Sequence, residues 1–412
     1  MSDIRDKNIH GHTVIGSYNN TISASENTLL KKLEDLNVRN TAYNSETRYQ
    51  KEDGNIDFIG HDRDTIVTQI CERLTRNDDD KPICLVTAPA GYGKTTVAHR
   101  IAKLFDNADG AGMTKAKLAG TFFFRRGTRD DGRRLFPTLA HQLVRWSFIK
   151  ESFQALNAFP DNLGDQFKNL VLRPLFQNAQ TSIYIFIIDA LDECQPNDAE
   201  RIVKIFAEET IPSNIRFVLT ARKDPALDFS SSCVLSFETK KISDNGIRNL
   251  LKECFDALSN NIKKLINADN AWPSDEDFLK LAGHAEGVPL YIATLVRYTA
   301  TPTGKDTEHQ SPVEKLEKVM KGYNGLDSLY QEVFASARVR PAEFLNVAGI
   351  LLTLYEPLSL QELAEMLNWK LSKLLSILQE FHAVISIPDY VTSETPITFF
   401  HTSLRNYLTD HK

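Results

Sequence analysis

The sequence predicts an α/β fold: a parallel sheet with flanking helices, followed by a small helical domain and a winged-helix domain. Three observations predict it. From Ile56 to about Thr220, short apolar runs alternate with helical patterns, and those runs are continuous rather than alternating, as in parallel strands buried on both faces. Residues 233–300 are then dominated by helical spacing. The last eighty or so residues give three helices and a β-hairpin.

Four runs supply the expected strands: Ile83–Thr87, Thr121–Phe124, Ile183–Ile188 and Ile215–Thr220, with Val234–Phe237 as a further candidate. Ser243–Ala257 and Ser274–Ala300 read as helices. Further helices are expected at Phe344–Leu354, Ser359–Leu367 and Lys370–His382, then short strands at Val384–Ile387 and Ile397–Phe400 and a closing helix. Near the start, Ser23 and Glu26 form a capping box ahead of Leu29, Leu30, Leu33 and Leu36 on one helical face. The resulting division is a flexible segment at 1–22, a helix and linker at 23–55, a parallel-sheet domain at 56–232, a helical domain at 233–300, a polar linker at 301–325 and a winged helix at 326–412.

Composition narrows the function classes. With 42% hydrophobic and 25% charged residues the chain of 412 reads as a soluble protein of two or three domains. Its longest uncharged apolar run, Val347–Tyr355, is far too short to span a bilayer. Charges from Asp3 to Lys7 exclude the pattern of a secretory signal, so a cytoplasmic location is expected. Five widely spaced cysteines, Cys71, Cys84, Cys194, Cys233 and Cys254, suit reduced core thiols. A net charge of −6 argues against broad nucleic-acid binding.

The segment Ala88, Pro89, Ala90, Gly91, Tyr92, Gly93, Lys94, Thr95, Thr96 fits the P-loop pattern, with Ala88 at the place of the first glycine. An apolar strand precedes it and the amphipathic stretch Val97–Phe105 follows. Its glycines let backbone amides turn inward at a helix N-terminus, where the dipole also favours phosphate. Lys94 is expected to reach the β and γ phosphates, Thr95 to ligate Mg2+, and Thr96 to lie near the α phosphate. The fold class is therefore a P-loop NTPase parallel sheet with flanking helices.

Ile183–Ile188 ends in Asp189, Ala190, Leu191, Asp192 and Glu193, which delivers carboxylates to the C-terminal end of a strand, where open α/β sheets bind ligands. Asp189 is placed to hold the magnesium shell, and Asp192 or Glu193 to polarise an attacking water. Arg222 follows another sheet strand and is a candidate γ-phosphate sensor. The stretch of Arg125, Arg126, Arg129, Arg133 and Arg134, interleaved with Asp130 and Asp131, reads mostly as a solvated loop.

These segments together resemble the STAND class of signalling NTPases, and within it the fungal NACHT proteins with a nephrocystin-like nucleotide-binding region. The resemblance runs from about Phe58 to the C-terminus and is carried by the P-loop segment, Phe122–Gly127 with Leu135–Leu143, Ile187–Cys194 and Phe217–Arg222. It implies a core closed around ADP at rest and opened with ATP to form a homo-oligomer that engages a downstream effector. It also implies base contacts by Ile59 and Gly60, packing of Pro289 against the base, and a phosphate contact by His401. Relatives of this kind usually continue into sensor repeats; none is read in these 412 residues, so either a truncated architecture or sensing by another polypeptide is expected. The glycine- and asparagine-containing segments Ile9–Gly11 and Val14–Asn20 suit either a β-stacking signalling motif, as similar fungal proteins carry, or a disordered tail. Two other readings stand beside the switch: an initiator-type ATPase that uses its winged helix on DNA, and a scaffold for which nucleotide is only structural.

Overall fold

A computed structural model describes residues 31–37, 61–76, 81–106, 116–127, 129–154, 156, 158–176, 182–223, 227, 233–258, 273–300, 310–322, 324–339, 341–354, 358–387 and 397–410. The expectations for 1–22, for Ser23 and Glu26, for Ile59 and Gly60, for most of the first linker and for 301–309 lie outside the described residues; the rest of the stretch expected as a second linker instead carries a helix, Pro312–Lys321, opened by the capping box of Ser311 and Glu314.

Five parallel strands form one sheet in the order β2-β3-β4-β1-β5: β1 Ile83–Thr87, β2 Ala116–Phe123, β3 Ile183–Asp189, β4 Ile215–Ala221 and β5 Val234–Glu238. Every residue of β3 and β4 is buried, because helices cover both faces. Successive side chains alternate between the two layers. On one face Cys84, Val86, Ile185, Ile187 and Val218 pack with Val97, Ile101 and Phe105 of α2 (Lys94–Asp106) and with Val67 and Ile70 of α1 (His61–Leu74). On the other, Leu85, Phe186, Phe217 and Leu219 meet α3 (Leu135–Leu143) and α4 (Pro196–Glu208) through Phe136, Leu139, Ile202 and Phe206. Leu33, in the helical stretch 31–36, is fully buried in that second layer.

β2 begins five residues before the apolar run that announces it. Ala116, Lys117 and Gly120 carry little strand signal, yet a Cβ on Gly120 would stand 3.2 Å from Leu139, so the glycine sets how closely α3 lies on the strand. The register between β2 and β3 shifts across Leu118 and Gly120.

The helices that follow the sheet are α5 Asp244–Ala257, α6 Asp275–Ala285, α7 Pro289–Thr299, α8 Pro312–Lys321, α9 Leu326–Ser336, α10 Pro341–Thr353, α11 Leu360–Met366 and α12 Leu371–Glu380. They are followed by an antiparallel pair, β6 Ile385–Ser386 with β7 Thr398–Phe399, and by α13 Thr402–Asp410. Their starts are chemically marked. Ser274 with Asp277, Ser311 with Glu314 and Ser359 with Glu362 each make a reciprocal capping box, and Pro289 and Pro312 open α7 and α8. One hydrophobic cluster runs without a break from Ile242 through Leu295, Tyr330, Val347 and Leu378 to Leu404. The helical segment and the C-terminal segment therefore share a core, which is separate from the two layers around the sheet. Among the described residues no helix is long and apolar enough to cross a membrane. The five cysteines are free thiols, and Cys84, Cys194 and Cys254 are buried.

Candidate functional site

The turn between β1 and α2 carries Gly91 at φ 78° and Gly93 at φ 79°, a region that side chains disfavour. A Cβ on Gly91 would also lie 3.1 Å from Leu290 Cβ, and Leu290 N–H donates to the Gly91 carbonyl at 3.3 Å. The P-loop thus rests directly on the start of α7. Ala88 is buried and is not among the non-glycine residues at positive φ, which are Ala190, Glu286 and Asn368 among those described. Alanine therefore suffices there. Lys94 Nζ donates to the carbonyls of Ala88 at 2.8 Å and Pro89 at 2.9 Å. Burial pushes the Lys94 ammonium down, against the pull of Asp192 and Asp189.

Asp189 ends β3 and is 2% exposed. Its Oδ2 accepts from Thr95 Oγ1 at 2.8 Å and its Oδ1 from Thr220 Oγ1 at 2.6 Å. The sheet order explains the second bond, because β4 stands between β1 and β3 and presents Thr220 at its end. Thr220 Oγ1 in turn accepts from Ala190 N–H at 2.8 Å and so fixes the left-handed turn at Ala190, φ 54°. Nothing in the sequence reading singled out Thr220; its position one residue before the strand end, level with Asp189, is the signal that was there. A Thr hydroxyl and a carboxylate held at one point are hard oxygen donors that suit a small divalent cation such as Mg2+.

The two acidic residues beyond Asp189 separate. Asp192, its side chain 5% exposed, accepts from Arg222 N–H at 2.8 Å through Oδ1 and from Arg222 Nε at 2.5 Å through Oδ2. That pairing commits Asp192 to orienting Arg222, so of the two carboxylates expected to polarise water it leaves Glu193 as the candidate. Glu193 is half-buried in the cavity wall; desolvation pushes its carboxyl up, while the Arg126 N–H opposes the shift. Its Oε2 accepts from Arg126 N–H at 3.1 Å and its Oε1 from Thr402 Oγ1 at 3.1 Å.

Within the arginine-rich stretch after β2, Arg125 and Arg129 depart from the expected solvated loop. Arg125 and Arg129 pair as a β-bridge, Arg129 Nε donates to the Phe123 carbonyl at 3.0 Å, and Gly127 N–H donates to Asp130 at 2.9 Å. The turn is thereby rigid, and it aims Arg125 at the C-terminal segment. Arg125 Nη2 donates to Thr398 Oγ1 at 2.6 Å and to the Phe399 carbonyl at 2.8 Å. Arg126, Arg133 and Arg134 are exposed, the last two paired with Asp131.

His401 follows directly. Ser403 N–H donates to its Nδ1 at 3.0 Å, which leaves the ring proton of the neutral imidazole on Nε2. Burial, reinforced by the charges of Lys94, Arg222 and Arg125, pushes His401 down to about 3. Pro289, at the first turn of α7, joins Leu250 and Cys254 of α5 at an apolar end of the same cavity. That cavity is lined by the P-loop, Asp189, Glu193, Arg222, Pro289 and His401 together. The far end of α7 is also anchored: the Arg297 guanidinium lies 4.2 Å from the Phe400 ring centre and donates to the Ile385 carbonyl at 3.3 Å.

A parallel sheet of this order, a glycine-turned anion cradle at a helix N-terminus and a Thr–Asp donor pair define a P-loop NTPase fold with a nucleotide-type site. Residues 65–222 match the family model described as Nephrocystin 3, N-terminal. No curated protein matches the chain. Among solved structures it is similar to a Signal Transduction ATPase with Numerous Domains (STAND) protein with a tetratricopeptide repeat sensor from Pyrococcus horikoshii, at 16% identity and a TM-score of 0.46, covering 88% of this chain and 44% of that one. It is also similar to the Aeropyrum pernix ORC1 protein in complex with DNA, at 14% identity and a TM-score of 0.40, covering 89% and 95%. The Walker-type ATPase of Pyrococcus abyssi matches at 12% identity and a TM-score of 0.41, covering 88% and 97%. The chain spans less than half the length of the first of these. At such identities the similarity carries nothing about substrate or partner.

Proposed function

We propose that the chain is a STAND-type switch of the NACHT kind that rests closed on ADP and assembles into a homo-oligomer with ATP, signalling to an effector protein as fungal immune or cell-death receptors do. The observation that carries this reading is that segment 398–402 lines the same cavity as the P-loop and is held there by Arg125 and Glu193. A site built only for turnover needs no such closure from 200 residues away. In this reading α10 to α12 with β6 and β7 form a winged helix, and its motion against the sheet is the switch.

Within the site, the P-loop amides and Lys94 hold the phosphates and Pro289 packs on the base. Thr95 and Asp189 hold Mg2+, which when bound neutralises charge on the β and γ phosphates. A neutral His401 donates from Nε2 to a phosphate oxygen, and Arg222, oriented by Asp192, senses the γ phosphate. Glu193 orients water, and turnover is slow. Binding of nucleotide shifts the closed and open populations only by its difference in affinity for the two, so ADP and ATP must contact segment 398–402 differently.

The DNA-directed alternative gains little support from α12. Lys373 pairs with Glu343 at 2.7 Å and lies over the Trp369 ring at 4.2 Å, so its charge is already engaged where phosphate neutralisation needs it available. The test of the switch is Lys94→Ala in the full chain: nucleotide that co-purifies with the parent protein, and any ATP-dependent assembly, should both disappear. Tight ADP binding retained in that variant contradicts the site assignment.

A further inference from the structure

The contact between Glu193 and Thr402 links positions 209 apart in the sequence, and it sits beside two others. Arg125 grips Thr398 and Phe399 at one end of a five-residue segment, Glu193 grips Thr402 at the other, and His401 lies between them in the cavity. Both carboxylate oxygens of Glu193 are engaged. Oε2 is held by the Arg126 N–H, which belongs to the nucleotide core, whereas Oε1 is held by a hydroxyl from the C-terminal segment. Glu193 itself stands in the short turn Leu191–Glu193, next to the Ala190 N–H that Thr220 holds, and its carboxylate is kept in place by the Arg126 N–H.

We propose that Thr402 masks Glu193: while segment 398–402 is docked, its hydroxyl occupies the carboxylate oxygen that has to accept a proton from water, and hydrolysis is withheld until the segment leaves. The inference rests on the reading of the P-loop cavity as a nucleotide site. In the step being withheld, the water oxygen forms a bond to the γ phosphorus and its proton passes to Glu193. The bond from that phosphorus to the bridging oxygen breaks with its electron pair left on ADP, and the Glu193 proton returns to solvent. Undocking removes the Thr402 hydroxyl and admits water at the same place, while the Arg126 N–H stays to orient the carboxylate. Docking and turnover are then mutually exclusive, so hydrolysis becomes a property of the open, assembling form.

The test compares the full chain with Thr402→Val, which removes the hydroxyl but keeps the branched shape, and with Thr402→Ser, which restores it; Thr402→Ala stands in should the valine variant fail to fold. Two quantities are read: amide exchange at Leu404 without nucleotide, and single-turnover hydrolysis of ATP with Mg2+. A lost hydrogen bond to a charged group predicts that both rise about tenfold in the valine or alanine variant. The serine variant should stay within about twofold of the parent by the same reasoning. Exchange that rises with no gain in hydrolysis overturns the mask, as does hydrolysis unchanged with exchange unchanged. If Lys94→Ala loses ADP while Thr402→Val gains no rate, the nucleotide site stands and the mask alone fails. A parent chain that binds no nucleotide overturns both.

Discussion

Asp192 and Arg222 form a two-point pair in which one carboxylate accepts both the backbone N–H and the Nε of the same arginine, at 2.8 and 2.5 Å. Two residues read from the sequence as separate catalytic groups are thus one unit. Because the Asp192 side chain is 5% exposed, removing its partner strands a buried carboxylate. Arg222→Ala should therefore lower stability by about 1–3 kcal/mol in urea unfolding. A double-mutant cycle with Asp192→Asn should recover a coupling of at least about 0.5 kcal/mol. Additive effects would show that the pair is incidental.

Thr220 carries a prediction of a different kind. Its hydroxyl orients Asp189, and Asp189 meets Thr95 at the expected cation position. Thr220→Val should weaken Mg2+-dependent nucleotide binding by about tenfold, in the range found when an outer partner of a metal ligand is lost. Binding measured in EDTA should change little. Titration calorimetry with and without Mg2+ separates the two, and an equal loss in both would mean that Thr220 supports the fold alone.

Arg125 should hold the closed arrangement. Arg125→Ala removes two bonds from a charged donor, so opening of segment 398–402 should become easier by about 1–3 kcal/mol, read as faster amide exchange at Leu404. Arg133→Ala, on the exposed side of the same turn, should have little effect on that exchange.

Acid should loosen the C-terminal region through two imidazoles. Burial, with Lys94, Arg222 and Arg125 nearby and Asp192 opposing them, lowers His401 from 6.5 to about 3. Burial with the Arg297 and Lys315 charges lowers His382 to about 4, while the carbonyls of Arg297 and Gln379 pull the other way. Both are neutral when packed and would be protonated when released, so the folded form binds fewer protons below pH 6.5. Stability is full above pH 6.5 and falls as pH drops towards those lowered values, by about 1.4 kcal/mol per pH unit for each group. Between pH 6.5 and 5 the melting temperature of His401→Gln and His382→Gln should fall less steeply than that of the parent. Parallel curves would remove the histidines from the account.

The sheet was legible in the sequence because each strand is an uninterrupted apolar run between turn residues, as Ile183–Ile188 shows. The P-loop was legible because its chemistry is local. What escaped was whatever depends on the neighbour across the fold. Lys117 and Gly120 hid the start of β2, since the reason for that glycine is the approach of Leu139. Arg125 looked like one charge among many in a polar loop, and its partner is 273 positions away. Thr402 stood out only as a neighbour of His401. Spacing within a segment cannot reveal which hydroxyl meets which carboxylate when the two come from different elements.

Amide exchange at the docked segment, followed at Leu404 of the full chain saturated with ADP and then with ATP and Mg2+, tests the central claim most directly. ADP should slow exchange relative to the nucleotide-free chain, and ATP with Mg2+ should speed it relative to ADP. Equal protection in both nucleotide states would contradict the claim that segment 398–402 reads the nucleotide.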